Sequence, residues 1–168
     1  PFAVSLVLEA LAVTGRPEVI VPELRRTWGA QLDAGAATFW EMDQPDTARR
    51  TRSHCHAWSA SPIHLLTRFV AGLEPAEPGF TQARLTPRPD LLHTLACRIP
   101  IPGGDAEIAW QPAADPPRPA VRFTWELPAD IRVTLVPPPG WTVAETEPAI
   151  ASSTLHSTGR ARLQRLDR

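Results

Sequence analysis

Val121-Arg122-Phe123-Thr124-Trp125-Glu126-Leu127 decides half of the fold. Large apolar side chains take every second position and Arg, Thr and Glu fill the gaps, which is the period of a strand with one buried and one wet face. Outward from it, Ile131, Val133 and Leu135 repeat the alternation after Pro128-Ala129-Asp130, a spacing that predicts a hairpin. On the other side Leu95, Cys97, Ile99 and Ile101 form a strand face that joins Ile108 and Trp110 across a turn at Gly103-Gly104-Asp105. Pro100 cannot donate to a ladder, so its strand is predicted at an edge or a bulge. Pro137, Pro138, Pro139 and Gly140 are excluded from any central strand for the same reason. Short strands at this spacing predict an antiparallel β-sandwich. Trp110, Trp125 and Trp141 would make a sugar-stacking platform only if exposed. The alternation instead puts Trp110 and Trp125 in the core.

The rest of the chain obeys a different period. Of 20 prolines, 15 lie between residues 75 and 148 and only five precede them, so helices are confined to the first part. Val4, Val7, Leu8 and Leu11 mark one helical face and Gly15 a stop, predicting a helix over 2–14. Leu24, Trp28 and Leu32 mark a second over about 22–33, started or kinked by Pro22 and ended by Gly35. Leu65, Leu66, Phe69, Val70 and Leu73 mark a third, with Ser61 and Pro62 at its start and Gly72 and Pro75 at its close. The stretch from Glu74 to Gly79 is predicted as the hinge between the regimes. Helices followed by strands define an α+β chain.

Composition narrows function by exclusion. With 17 basic and 18 acidic side chains in 168 residues, the chain offers no basic surface for nucleic acid or an anionic membrane. The apolar run near Phe2 to Val13 is broken by Ser5 and Glu9 and is too short to span a bilayer. Arg160, Arg162, Arg165 and Arg168 read as a frayed, solvated tail. Pro1 stands inside an apolar helical pattern, so the chain reads as a piece of a larger protein. Its compartment stays open, with the cytoplasm as working expectation. Cys55 and Cys97, far apart in sequence, are expected to be free thiols.

Two stretches carry possible chemistry. In Gly35-Ala36-Ala37-Thr38-Phe39-Trp40-Glu41 small residues allow close backbone approach, so that an indole and a carboxylate can face one cavity, the pairing that sugar sites use. A solvated Glu beside a core Trp would carry the same letters. In Ser53-His54-Cys55-His56-Ala57-Trp58 two His flank a Cys, yet no matching pair stands at structural-zinc spacing, so no metal and no cofactor is expected. His56 beside Trp58 could hydrogen-bond a hydroxyl or an attacking water, or be satisfied by backbone. Asp33, Asp43 and Asp46 are further carboxylates at positions where caps and turns also favour Asp.

The stretch Trp28-Gly29-Ala30-Gln31-Leu32-Asp33-Ala34-Gly35-Ala36-Ala37-Thr38-Phe39-Trp40-Glu41 resembles bacterial α-L-rhamnosidases of glycoside hydrolase family 78, which typically read Trp-Gly-x-Met-Leu-x-x-Gly-Ala-Thr-Thr-x-Trp-Glu there. His56-Ala57-Trp58-Ser59-Ala60, Phe69-Val70-Ala71-Gly72-Leu73 and Pro78-Gly79-Phe80 follow in the family's order. The resemblance implies the last helices of an (α/α)6 toroid over residues 1–78 and a C-terminal β-sandwich over 79–168. It implies Glu41 as the general base of an inverting hydrolysis, His56 in the same pocket, Trp40 and Trp58 against the sugar, and a rhamnose-containing glycoside as substrate. Inversion needs a second carboxyl group as acid, roughly 6.5 to 9.5 Å from the base. In the family it comes from an upstream motif that this sequence lacks, so the chain alone is expected to be inactive and to need the missing N-terminal catalytic portion as partner. Ala37 replaces the usual Thr, Gln31 the usual Met, and Pro22 interrupts a normally continuous helix. Two alternatives remain at this point: another inverting hydrolase of the same toroid, acting on fucosides or glucosides, and a non-catalytic module whose strands bind sugar or brace.

Overall fold

The computed structural model describes residues 1–42, 53–114, 119–147 and 154–166. They fall into two compact units, Pro1–Leu66 and Thr67–Arg168.

In the first unit α1 (Phe2–Val13) ends where the Thr14 hydroxyl donates to the Ala10 carbonyl at 2.7 Å. Only Ser5 and Leu8 of α1 are buried, whereas Phe2, Leu6, Val7 and Val13 are exposed. The helix is therefore apolar on more sides than the predicted stripe requires, and the unit leaves part of that surface uncovered. A 3-10 turn at Pro17–Val19 leads into α2 (Ile20–Leu24). Pro22 lies in the first turn of α2, where a missing N–H removes no helical bond, so it starts the helix without breaking it. The chain then widens into a π-turn, Arg25–Gly29, and tightens again as α3 (Ala30–Asp33). After a 3-10 turn at Ala57–Ser59 comes α4 (Ser61–Leu66). Leu8, Ile20, Leu24, Trp28 and Leu65 form the core of this unit.

The second unit begins with another π-turn, Thr67–Ala71, and is otherwise built from strands. The predicted hinge contains a strand: β1 (Leu73–Pro75) pairs antiparallel with β2 (Gln82–Leu85), and Pro78–Phe80 is the turn between them. β3 (Leu95–Ile101) and β4 (Gly104–Pro112) form the expected hairpin, with Cys97 opposite Ile108 and Leu95 opposite Trp110. β5 (Ala120–Glu126), β6 (Arg132–Leu135), β7 (Trp141–Glu147), β8 (Thr154–Leu155) and β9 (Thr158–Arg165) complete two sheets, ordered β1-β2-β6-β8 and β3-β4-β5-β9-β7. Pro100 sits on the edge strand β3, as its missing donor requires.

Two expectations are corrected. β5 and β6 are not a hairpin, because β5 pairs with β4 and β9 while β6 joins the other sheet and lies parallel to β2. That parallel pair also makes the four-stranded sheet mixed. The arginine tail is not frayed, since β9 runs between β5 and β7 and carries Arg160 to Glu147 at 2.8 Å and Arg162 to Glu145 at 3.7 Å. Arg168 lies outside the described residues.

Alternation does govern burial. Ala83, Leu85, Val133 and Leu135 turn inward from one sheet and Ile108, Trp110, Phe123, Trp125 and Leu163 from the other. Trp110 and Trp125 are each 2% exposed, and their indole N–H groups donate to the carbonyls of Leu92 and His156 at 2.9 and 3.1 Å. Buried, satisfied indoles pack a core and present no face to a sugar. Trp125 lies across Gly159, its partner on β9, where an added Cβ would come within 2.9 Å of the ring atom Cη2. Gly72 has φ +78°, and an added Cβ there would run into the Thr86 carbonyl and come within 2.9 Å of Pro87 N.

Gly72→Ala is therefore expected to cost about 3 kcal/mol or more, combining a left-handed backbone with a clash against main chain. Chemical denaturation of the variant checks this, and an unchanged midpoint refutes it. Cys55 is exposed, whereas burial pushes the Cys97 thiol up, and both are free. Because the thiolate is the nucleophile, an alkylating reagent near pH 8 should modify Cys55 first, and the reverse order in peptide mapping would contradict the fold.

Candidate active site

The site is built where two irregular segments of the first unit run alongside each other. Glu41 N–H donates to the Ser53 carbonyl at 2.9 Å, and His56 N–H donates to the Phe39 carbonyl at 2.8 Å. Beside these ties the Thr38 hydroxyl donates to the His54 carbonyl. Ser53 N–H returns to the Glu41 side chain, reaching Oε2 at 3.1 Å. Backbone and carboxylate of Glu41 are thus both held by Ser53.

Glu41, His56 and Trp58 line one cavity of about 460 Å³, together with Phe2 of α1 and Thr27 of the first π-turn. Three of the four residues singled out in the sequence thus face a common space. Trp58 is 67% exposed, its indole 5.0 Å from the Phe2 ring and edge-on to the His56 imidazole at 6.0 Å. An exposed, supported indole beside an imidazole and a carboxylate can stack on a sugar ring while polar groups address its hydroxyls and an attacking water.

Trp40 occupies a different place. It is 8% exposed, lies outside the cavity lining, and stacks on His54 with centroids 4.5 Å apart and planes 20° from parallel. Asp33 is exposed on α3, and Asp43 and Asp46 lie outside the described residues. Among the described residues no three His, Cys, Asp or Glu side chains cluster as a metal site, and no helix is long and apolar enough to cross a membrane.

Thr27 and Gln31 were not singled out as functional by sequence reasoning. The Thr27 hydroxyl reaches Glu23 Oε1 at 3.2 Å, and Arg26 donates to both carboxylate oxygens of Glu23 and holds its carboxyl below the usual range. Trp28, the next residue, donates its buried indole N–H to the Ser59 carbonyl at 2.8 Å. The π-turn thereby aims one residue at the cavity and the next at the segment following His56.

No family model and no curated protein matches the sequence. Solved structures do match. A glycoside hydrolase family 78 rhamnosidase of Bacillus sp. GL1 is 30% identical, with a TM-score of 0.70 over 83% of this chain and 15% of its own. The α-L-rhamnosidase from Dictyoglumus thermophilum is 20% identical, with a TM-score of 0.70 over 98% of this chain and 20% of its own. The Streptomyces avermitilis α-L-rhamnosidase, solved with L-rhamnose, is 19% identical, with a TM-score of 0.64 over 95% of this chain and 16% of its own. Over most of its length the chain is therefore similar to part of these family 78 and α-L-rhamnosidase structures, and it spans about a fifth or less of their length.

Trp28→Phe keeps an aromatic ring of smaller volume and removes the donor, leaving the Ser59 carbonyl without this partner in the core. A loss of about 1–3 kcal/mol is expected in equilibrium unfolding, and a variant as stable as the parent would show that this bond does not hold the site together.

Proposed function

We propose that this chain is part of an inverting α-L-rhamnosidase and supplies its general base, Glu41. The observation that supports this most directly is the convergence of Glu41, His56 and Trp58 on one cavity. Glu41 accepts a proton from a water molecule as that water attacks the anomeric carbon of a terminal α-L-rhamnosyl residue. The bond to the leaving oxygen breaks on the opposite face, where a second carboxyl group of the whole protein donates the proton. His56 and Trp58 hold the sugar, the imidazole by hydrogen bonding and the indole by stacking. Trp40 supports the site from behind.

Residues 1–78 act within this reading as part of an (α/α)6 catalytic domain and residues 79–168 as its β-sandwich. The exposed apolar side chains of α1, with Ile63 of α4, support a helical layer that packs against further helices. The inward indoles of Trp110 and Trp125 support a structural role for the β unit over a sugar-binding one.

In the full-length protein Glu41→Gln should lower turnover of aryl α-L-rhamnosides by about 10²-fold or more with the fold intact. Turnover within a few-fold of the parent would overturn the base assignment, and faster hydrolysis of fucosides or glucosides by the parent would overturn the substrate class. The 168-residue chain by itself is expected to give no turnover.

A further inference from the structure

Gln31 stands where the family pattern carries Met, and it is 2% exposed. A buried carboxamide needs partners for an acceptor oxygen and two N–H donors. Gln31 finds them all in the segment bearing Glu41. Its Oε1 accepts from Trp40 N–H at 3.1 Å, while its Nε2 donates to the Trp40 carbonyl at 3.2 Å and to the Met42 carbonyl at 2.8 Å. The amide orientation is fixed by these partners, since a flipped carboxamide would set oxygen against two carbonyls and N–H against N–H.

These bonds bracket Glu41 on both sides along the chain, through the peptide groups of Trp40 and Met42. With the Ser53 carbonyl taking Glu41 N–H, the backbone of the base is pinned from the α3 side and from the Ser53 side. A Met side chain has neither an N–H nor a carbonyl and could make none of the three bonds. We infer that Gln31 is a positioning residue that fixes the Glu41 carboxylate for proton transfer. The inference rests on the reading of Glu41 as the base. Gln31 itself touches no substrate, and its contribution is to hold the base where the water must sit, a placement to which rates are steeply sensitive.

The test uses the full-length protein with Gln31→Leu, and Gln31→Met in case Leu does not fold, beside Glu41→Gln. Two readouts are taken, steady-state rhamnoside kinetics per folded enzyme and backbone amide exchange over residues 39–42. The expected result is kcat lowered by about tenfold or more with KM within about twofold, together with faster exchange at Trp40. Unchanged exchange would show that no clamp exists, and faster exchange with unchanged kcat would show that the clamp is structural only; either overturns the inference. Turnover retained by Glu41→Gln would instead overturn the base assignment, and the exchange measurement would still decide whether Gln31 holds this backbone.

Discussion

A buried backbone with no sheet to join is the constraint from which the site follows. Trp40 is almost wholly enclosed, so its N–H and carbonyl must find partners inside the protein or cost the unit dearly. Gln31 satisfies both groups, and Ser53 and His56 satisfy the neighbours on either side. That solution fixes more than hydrogen bonds. It sets Glu41 against the cavity, turns the Trp40 ring under the chain onto His54, and brings His56 round to the same space. The helix that supplies Gln31 can do so because of the π-turn before it, which gives Thr27, Trp28 and Gln31 separate targets on the same side of the unit.

The β unit solves the same problem by regular ladders, and there packing becomes the limiting term. Phe123 lies 5.5 Å from Trp125 and 6.3 Å from Trp110, a row of rings along the inner face. Rings this large fit only where a neighbour is small, and Gly159 provides the gap for Trp125 on the adjoining strand. Gly72 permits a second close approach, where Thr86 N–H donates to its carbonyl at 2.8 Å and β2 ends beside the first turn of the unit.

What could be read in the sequence was whatever depends on neighbours a few residues away. The period of 3.6 placed α1 and the helical residues 20–33 to within a residue or two, and the period of 2 assigned the inward faces of Trp110, Phe123, Trp125 and Val133 correctly, whereas it was not applied to residues 158–165. Period says which face a strand buries but not which strand it lies beside, and so β5 and β6 were read as a hairpin although they belong to different sheets. Prolines were legible for a related reason, since a missing donor excludes central positions whatever the partner. Within the site, the residue types at 41, 56 and 58 could be chosen from their chemistry and from the family motif, whereas Gln31 registered only as a departure from that motif. Its meaning depends on a carboxamide meeting a backbone nine residues on. The π-turn left no mark in the letters, because a helix accommodates one extra residue without changing its composition.

The order of strands in the larger sheet bears on how this unit is made. β9 follows every other strand of its sheet in the chain, yet it lies between β5 and β7 and bonds to both. As the polypeptide leaves the ribosome, β7 has no strand neighbour among the described residues until residues 158–165 emerge, and the Trp125 ring lacks its Gly159 neighbour until then. For that interval the nascent unit carries an unpaired edge and a bare aromatic row, the features by which newly made chains associate with one another. Among the described strands, this sheet is thus complete only once β9 has inserted between β5 and β7.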